Sequence, residues 1–517
     1  MLAMTLIIIA LITLVTFMAV NVSTLESRTA MQDYAGSRAM YAARAGLNYA
    51  MSKVTQLRDT AWVQNGGNVT LPLEPGVTSF TVVVRPHPDN TTTRTSQLAW
   101  EVVSTGFYGQ PPRQAQRQVV AFIQQEPFSK YAYFTDRDIG VGGAIIRFVS
   151  NDAITGPVRT NGYFTIAGNP RFSDQMRSSN LSDTAYTAGP PPVYRNPNGT
   201  TTSDPARFYR TENNGSYAQN APVALNNSPN FSFAGGQAEI PLPTDNDKIR
   251  TLAESNAPDT TNLAINTPGG ALPPNHYKNP ANSASDYDMV FDETTGRPSG
   301  FTRNGNNISA SDAPPVFKMT FRSTPNPAGA VIQRWDSAST SFRNWDPVAR
   351  NFTASTTVLD TSADTFHVDG FVVMEGTVKG RATVGSKYDV HLSNNLVYSD
   401  MAQDVLGIVA KEDIIVESRT NTSQDRTIHA TMMALNGSFT VDKYNQGSPR
   451  GTLHLFGGII QRTRGPVGTG SASQVSTGYA KDYRYDDKLI TKPPLNFPNT
   501  GEVYIVNIND RGATGSL

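Results

Sequence analysis

The chain opens on a run without a charged side chain, "MLAMTLIIIALITLVTFMAVNVSTL", Met1 to Leu25. Its apolar part is long enough to cross a bilayer as a helix, which takes about 20 residues. Leu2, Ile7, Ile8, Ile9, Leu11, Leu14 and Phe17 are the side chains expected to face lipid or a helical bundle. No helix breaker closes the run, since the first proline is Pro72. Beyond it Met40, Ala43, Leu47, Ala50, Val54 and Leu57 recur at alternating three- and four-residue steps, one apolar stripe on a helix. Gly36 and Gly46 weaken that pattern only modestly. The spacing therefore predicts one helix over residues 1–57, roughly 85 Å long at 1.5 Å per residue. A cleaved export signal fits less well, because no Lys or Arg precedes the run and the run exceeds a signal core. The reading also expects the numbering to start at or near the processed N-terminus.

Residues 58–127 alternate as strands do. "SFTVVVR" (Ser79–Arg85), "LAWEVVSTGF" (Leu98–Phe107) and "RQVVAFIQ" (Arg117–Gln124) are β-branched and aromatic, with turn clusters "RPHPDNTTT" and "YGQPPRQ" between them. The helix stripe would cover one face of this small antiparallel sheet. From Ser129 the texture changes to short apolar runs separated by Gly, Asn and Asp, as in Asp152–Phe172 and Phe366–Ser399. Short strands with frequent corners, and no sustained helix, favour a β-solenoid over residues 128–517. A Pro-, Asn- and Ser-rich tract at about 180–349 reads as loop insertions. Within it "EIPLPTDNDKIRTLAESN" (Glu239–Asn256) predicts an Asp-capped helical turn through Ile249, Leu252 and Ala253.

Composition narrows the functions. Only 17% of the 517 residues are charged, with 43 basic against 43 acidic, so no global field draws the chain to nucleic acid. Cysteine is absent, which removes disulfides, thiolate nucleophiles and Cys-ligated metals.

The stretch Ser23-Thr24-Leu25-Glu26-Ser27-Arg28-Thr29-Ala30, followed by Ala42-Ala43-Arg44-Ala45-Gly46-Leu47, resembles the N-terminal region of PilX-type minor pilins and pseudopilins. Arg44 stands where that family usually has an acid, and Thr5 where major pilins carry a glutamate. A buried glutamate there needs a neighbouring amine, so its absence points to a subunit at a filament tip. The segments Leu406–Ser418, Ile428–Thr469 and Gly478–Leu489 resemble a solenoid domain of bacterial surface proteins. The combination resembles large competence-associated minor pilins of the ComZ type. The resemblance implies an α+β pilin-like module, a long N-terminal α-helix plus a small antiparallel sheet, followed by a mainly-β solenoid domain. It further implies a non-enzymatic type IV pilus subunit that binds extracellular DNA or mediates adhesion. Its partners would be other pilins, the assembly machinery and the inner membrane. Its C-terminal region would be periplasmic, then extracellular once assembled.

Chemistry-bearing residues are sparse. The six histidines form no HExxH or i, i+4 pair, so no metal and no cofactor are expected. "GRATVGSK" (Gly380–Lys387) imitates a phosphate loop, but Ser386 precedes Lys387 and no helix follows; a solenoid turn is expected. The acid pairs in "TDNDK" and "YRYDDK" read as caps and solvated turns rather than Ca²⁺ ligands. One cluster fits nucleic acid: Arg450, Arg462, Arg464, Lys481 and Arg484, with Tyr479, Tyr483 and Tyr485 interleaved. Cations would hold phosphates and tyrosines would stack on frayed bases, with the glycine-rich "TRGPVGTGSAS" as a mobile loop along the backbone. Arg207, Phe208, Tyr209 and Arg210 form a smaller candidate. DNA or surface glycans would be the ligands in that reading. Two alternatives stay open: a membrane-tethered carbohydrate-active β-solenoid, and a structural type II secretion pseudopilin that primes filament assembly.

Overall fold

One 54-residue helix, α1 (Leu2–Thr55), carries the whole N-terminal pattern. The structure is a computed structural model. It describes residues 2–55, 67–86, 99–140, 145–179, 192–195, 200–203, 209–212, 221–247, 249–250, 253, 287–292, 294–324, 329–346, 351–361, 363–417, 423–471 and 474–511. Leu57, the expected end of the stripe, lies outside them, as do Arg207, Phe208 and Leu252. A long helix is followed by a mostly-β chain with several sheets, in two compact units: residues 1–126 with 501–517, and residues 127–500.

In the first unit four strands, β1 (Val69–Glu74), β2 (Thr78–Pro86), β3 (Ala99–Tyr108) and β4 (Ala115–Pro127), form an antiparallel meander. The C-terminal strand, Asn499–Arg511, completes the sheet beside β4. Ala43, Leu47 and Ala50 of α1 bury against Phe80, Val82, Val84, Val102, Val119, Ala121 and Ile123. Each large side chain removed from water there contributes about 1.5–3 kcal/mol. The helix sits directly on the strand backbone: a Cβ built on Gly106 would lie 2.0 Å from the Ala39 carbonyl oxygen. That approach requires glycine, with Ala39, Ala42 and Ala43 fully buried opposite.

The second unit is thus inserted between two neighbouring strands of the first sheet. The sequence pattern, which assigned everything after residue 127 to a second domain, carries no sign of that return. Within the insertion Phe128 N–H donates to the Pro498 carbonyl at 3.0 Å, so the chain enters and leaves at adjacent points.

The insertion is organised by parallel ladders. Ala363–Val368, Arg381–Ser386, Val405–Ala410, Arg426–Ala434 and Pro449–Thr463 pair in sequence order. Pro449–Thr463 then pairs with Tyr133–Arg137, and the ladder runs on through Val158–Thr160 and Met176–Ser178 to Phe233–Ala234. A second ladder joins Val316–Arg322, Phe371–Val378, Val390–Tyr398, Ile414–Val416 and Phe439–Val441. The core between them is built from inward Val, Ile, Leu, Met and Phe of both ladders.

Two expectations about this unit are corrected. The phosphate-loop imitation is not a turn: Arg381–Ser386 is a strand paired on both edges, because its alternation of Ala382, Val384 and Ser386 fits a buried ladder position. Part of the presumed loop tract is also strand. Tyr287–Asp292, Arg297–Arg303 and Asn306–Ile308 form a three-stranded sheet, and "VFKMTFR" (Val316–Arg322) alternates buried and half-buried along the second ladder. The expected helical turn is present in part, with Ile249 and Ala253 buried.

One half-buried histidine gives the unit a pH response. The Tyr398 N–H donates to Nδ1 of His429 at 3.0 Å, and the ring lies between Tyr398 and Phe456. Burial, helped by the nearby Lys488, lowers the His429 pKa to about 4. An unfolded histidine takes its proton near 6.5, so the unfolded state binds it first as pH falls. Stability from this site is therefore present above about 6.5 and is lost as pH drops toward 4. Thermal unfolding across that window should show a flatter pH dependence for His429→Gln than for the parent.

Candidate functional site

The proposed nucleic-acid cluster occupies the place where the late part of the ladder joins the early part. Tyr133–Arg137 opens the insertion, yet its neighbour in the ladder is Ile459–Thr463, in the register Ile459 to Tyr133 and Gln461 to Thr135. Three cations from the late segment cross this seam to three aspartates from the early one. Arg464 faces Asp138 at 3.4 Å, Arg462 faces Asp136 at 3.4 Å, and Lys481 reaches both oxygens of Asp152 at 3.1 Å.

The Arg464–Asp138 pair is the most enclosed. Arg464 is 4% exposed and Asp138 0%. The guanidinium lies 3.7 Å from the centre of the Phe148 ring and donates to the carbonyls of Ile146 and Arg147 at 3.2 and 3.3 Å. Asp138 accepts from the Tyr133 hydroxyl at 3.1 Å and from Thr165 N–H at 3.3 Å. Burial holds the Asp138 carboxyl above the ordinary range even with Arg464 beside it. Desolvation prevails at Asp138, whereas the surrounding negative groups prevail at Arg464 and raise its guanidinium, so the pair's clearest contribution is to specify register. Burial likewise lowers the Lys481 ammonium, against the pull of Asp152.

The other members are placed as follows. Arg450 is fully buried and donates to the carbonyls of Asp442, Lys443 and Gln446, holding a turn. Tyr479 and Tyr483 are core side chains, and the Tyr485 hydroxyl donates to the Ser129 carbonyl at 3.1 Å. Arg462 also donates to the Leu435 carbonyl at 2.9 Å. Arg484 stays open to solvent, 69% exposed, in a two-point contact with Asp482. The structure brings Arg462, Arg464, Lys481, Tyr479 and Tyr483 together, but mostly as parts of the fold. The glycine-rich segment is not a mobile loop. Gly468–Gly470 pairs antiparallel with Val475–Arg484, and a Cβ at Gly465 would meet the Phe439 carbonyl oxygen at 2.0 Å. In the smaller candidate, Tyr209 is fully buried and Arg210 nearly so.

Beside the seam lies a cleft of about 630 Å³, which sequence reasoning missed. Ile145–Arg147 and Asn151–Asp152 line it on one side, and the hairpin of Gly465–Ser471 with Gln474–Lys481 on the other. Thr440 and the half-buried Tyr444 complete it. The walls are fixed: Arg464 ties down the carbonyls of residues 146 and 147, and the Thr469 and Thr477 hydroxyls meet at 2.5 Å across the hairpin. Among the described residues no group of three or more His, Asp or Glu converges as a metal site.

The profile of a family described as a domain of unknown function (DUF4900) matches residues 95–180, which span β3, β4 and the early seam strand. No curated protein matches. Among solved structures the chain is similar to the crystal structure of the competence-associated pilin ComZ from Thermus thermophilus. The identity is 14% and the TM-score 0.30, over 92% of this chain and 97% of that one. A likeness at that score does not define the fold, which rests here on the strand pairings themselves.

Removing one partner from a buried pair leaves the other charge uncompensated, at a cost of about 3–5 kcal/mol. Asp138→Asn should therefore lower the denaturant-derived stability of the second unit by about that much. The double variant Asp138→Leu with Arg464→Met should recover most of it, and Arg484→Gln at the surface should change it by less than about 0.5 kcal/mol.

Proposed function

We propose that this chain is a non-enzymatic, membrane-anchored minor pilin that displays its inserted β unit on a type IV filament. The observation that carries the reading is the division of α1. Leu2, Ile7, Ile8, Ile9, Leu11, Leu14 and Phe17 are all exposed, as is every described residue through Tyr34, whereas the same helix from Gly36 onward packs on its sheet. An apolar surface of that size demands a partner, and the most apolar window, with mean hydropathy 2.7, suits lipid or a bundle of like helices.

Its few polar side chains are adapted to that setting. The hydroxyls of Thr13 and Thr16 donate back to the carbonyls of Ile9 and Ile12, and Thr5 donates to the Leu2 carbonyl at 2.8 Å. A donor satisfied within its own helix costs little in hydrocarbon. Thr5 in place of a glutamate also fits a subunit with few neighbours to pair with, as at a filament tip.

The displayed unit is read as a β-solenoid. Supporting this, successive ladder partners Ala363, Arg381 and Val405 are 18 and 24 residues apart, and Gly407 and Thr431 again 24, as coils of similar length would give. Such a unit extends by stacking, which suits presentation outward from an inner-membrane anchor, through the periplasm, to extracellular DNA or a surface glycan.

The helix surface beyond the apolar run tests the filament reading. Met31 and Tyr41 are exposed at 75% and 67%. A photo-crosslinking residue at Tyr41, in cells making type IV pili, should capture another pilin in the sheared-pilus fraction. Recovery of the chain solely from membranes, with no pilin adduct, would contradict it.

A further inference from the structure

The cleft beside the seam is open to solvent-borne ligands, and polar side chains of several kinds line it. Its volume, about 630 Å³, falls within the range of small-ligand sites, about 300–1,000 Å³. We propose that it is a binding site for a short neutral saccharide. This deepens the reading of a displayed unit and rests on it for its biological setting, though not for the binding itself.

Charge narrows the ligand class at the Lys481 end of the cleft. The cations there already have their counter-ions: Lys481 holds both oxygens of Asp152, and Arg464 lies behind the wall against Asp138. A phosphate entering beside Lys481 would meet the Asp152 carboxylate at the same point, and like charges at that range repel.

The remaining lining is suited to hydroxyl groups, which both donate and accept. Asn151 and Gln474 are exposed amides with a donor and an acceptor each. The Thr440 hydroxyl donates to the Pro466 carbonyl at 2.8 Å and the Thr469 hydroxyl meets that of Thr477, so these two offer remaining lone pairs as acceptors. Arg147 adds a planar donor fork. The half-buried Tyr444 supplies an apolar body with a polar tip, the kind of surface on which a sugar ring can rest.

Binding without cleavage follows from the same inventory. Glycoside hydrolysis usually needs two carboxyl groups about 5–9.5 Å apart. The described lining holds a single carboxylate, Asp152, and it is committed to Lys481.

The test uses the full chain in detergent on a printed array of neutral oligosaccharides, with acidic oligosaccharides and a duplex DNA oligonucleotide as comparison arms, followed by calorimetry on the best neutral ligand. Neutral glycans should bind. Asn151→Trp, which fills the cleft from an exposed position, should weaken the best of them at least tenfold, and Gln474→Ala should weaken it severalfold, with unfolding temperatures near that of the parent. Signal confined to acidic glycans or DNA, no signal at all, or binding indifferent to Asn151→Trp would overturn the proposal. Because the readout needs neither membrane nor filament, a negative result here leaves the pilin reading standing, and failure of that reading leaves this one standing.

Discussion

The second unit depends on a long-range junction. Its ladder is built from two stretches of chain that pair side by side in parallel, Ile459–Thr463 against Tyr133–Arg137. The strands Tyr133–Arg137, Val158–Thr160, Met176–Ser178 and Phe233–Ala234 stack on one side of that junction, and those from Ala363–Val368 to Pro449–Thr463 on the other. Parallel strands have no hairpin to fix their register, and a slip of one residue turns every inward side chain outward. The Arg464–Asp138, Arg462–Asp136 and Lys481–Asp152 pairs supply the missing specification, since each works only in one alignment.

That constraint also places the cleft. Its two walls come from opposite sides of the seam, Ile145–Asp152 from the early segment and Gly465–Lys481 from the late one. Arg464 belongs to the late segment and fixes the carbonyls of the early one. The recess therefore depends on the junction of the early and late ladder strands. In the first unit the equivalent constraint is the approach of α1 to Gly106, which lets one helix serve both a sheet and, as proposed, a membrane.

Local rules made the first unit largely legible in the sequence. The charge-free run and the Met40–Ala50 stripe predicted α1, and alternation predicted β2, β3 and β4. The late strands were legible as short apolar runs, but their pairing was not. No residue near Asn499–Arg511 signals that it returns to the first sheet, and nothing near Tyr133 signals a partner more than 300 positions away. The basic cluster misled for a related reason. Sequence shows that Arg462, Arg464 and Lys481 are close together, while the aspartates that occupy them are distant in the chain. Glycine was ambiguous too: at Gly465 it marks backbone crowding, not freedom. The cleft left no local trace, because it is a product of the junction.

Hydrogen exchange, followed by mass spectrometry on the full chain in detergent, tests the junction most directly. If the seam is the element on which the unit depends, amides of Tyr133–Arg137 and of Ile459–Thr463 exchange together, through the same slow opening that exposes the Ala363–Ala434 ladder. Exchange of the Tyr133–Ser178 strands by a separate, faster opening, while the late ladder stays protected, would contradict the account.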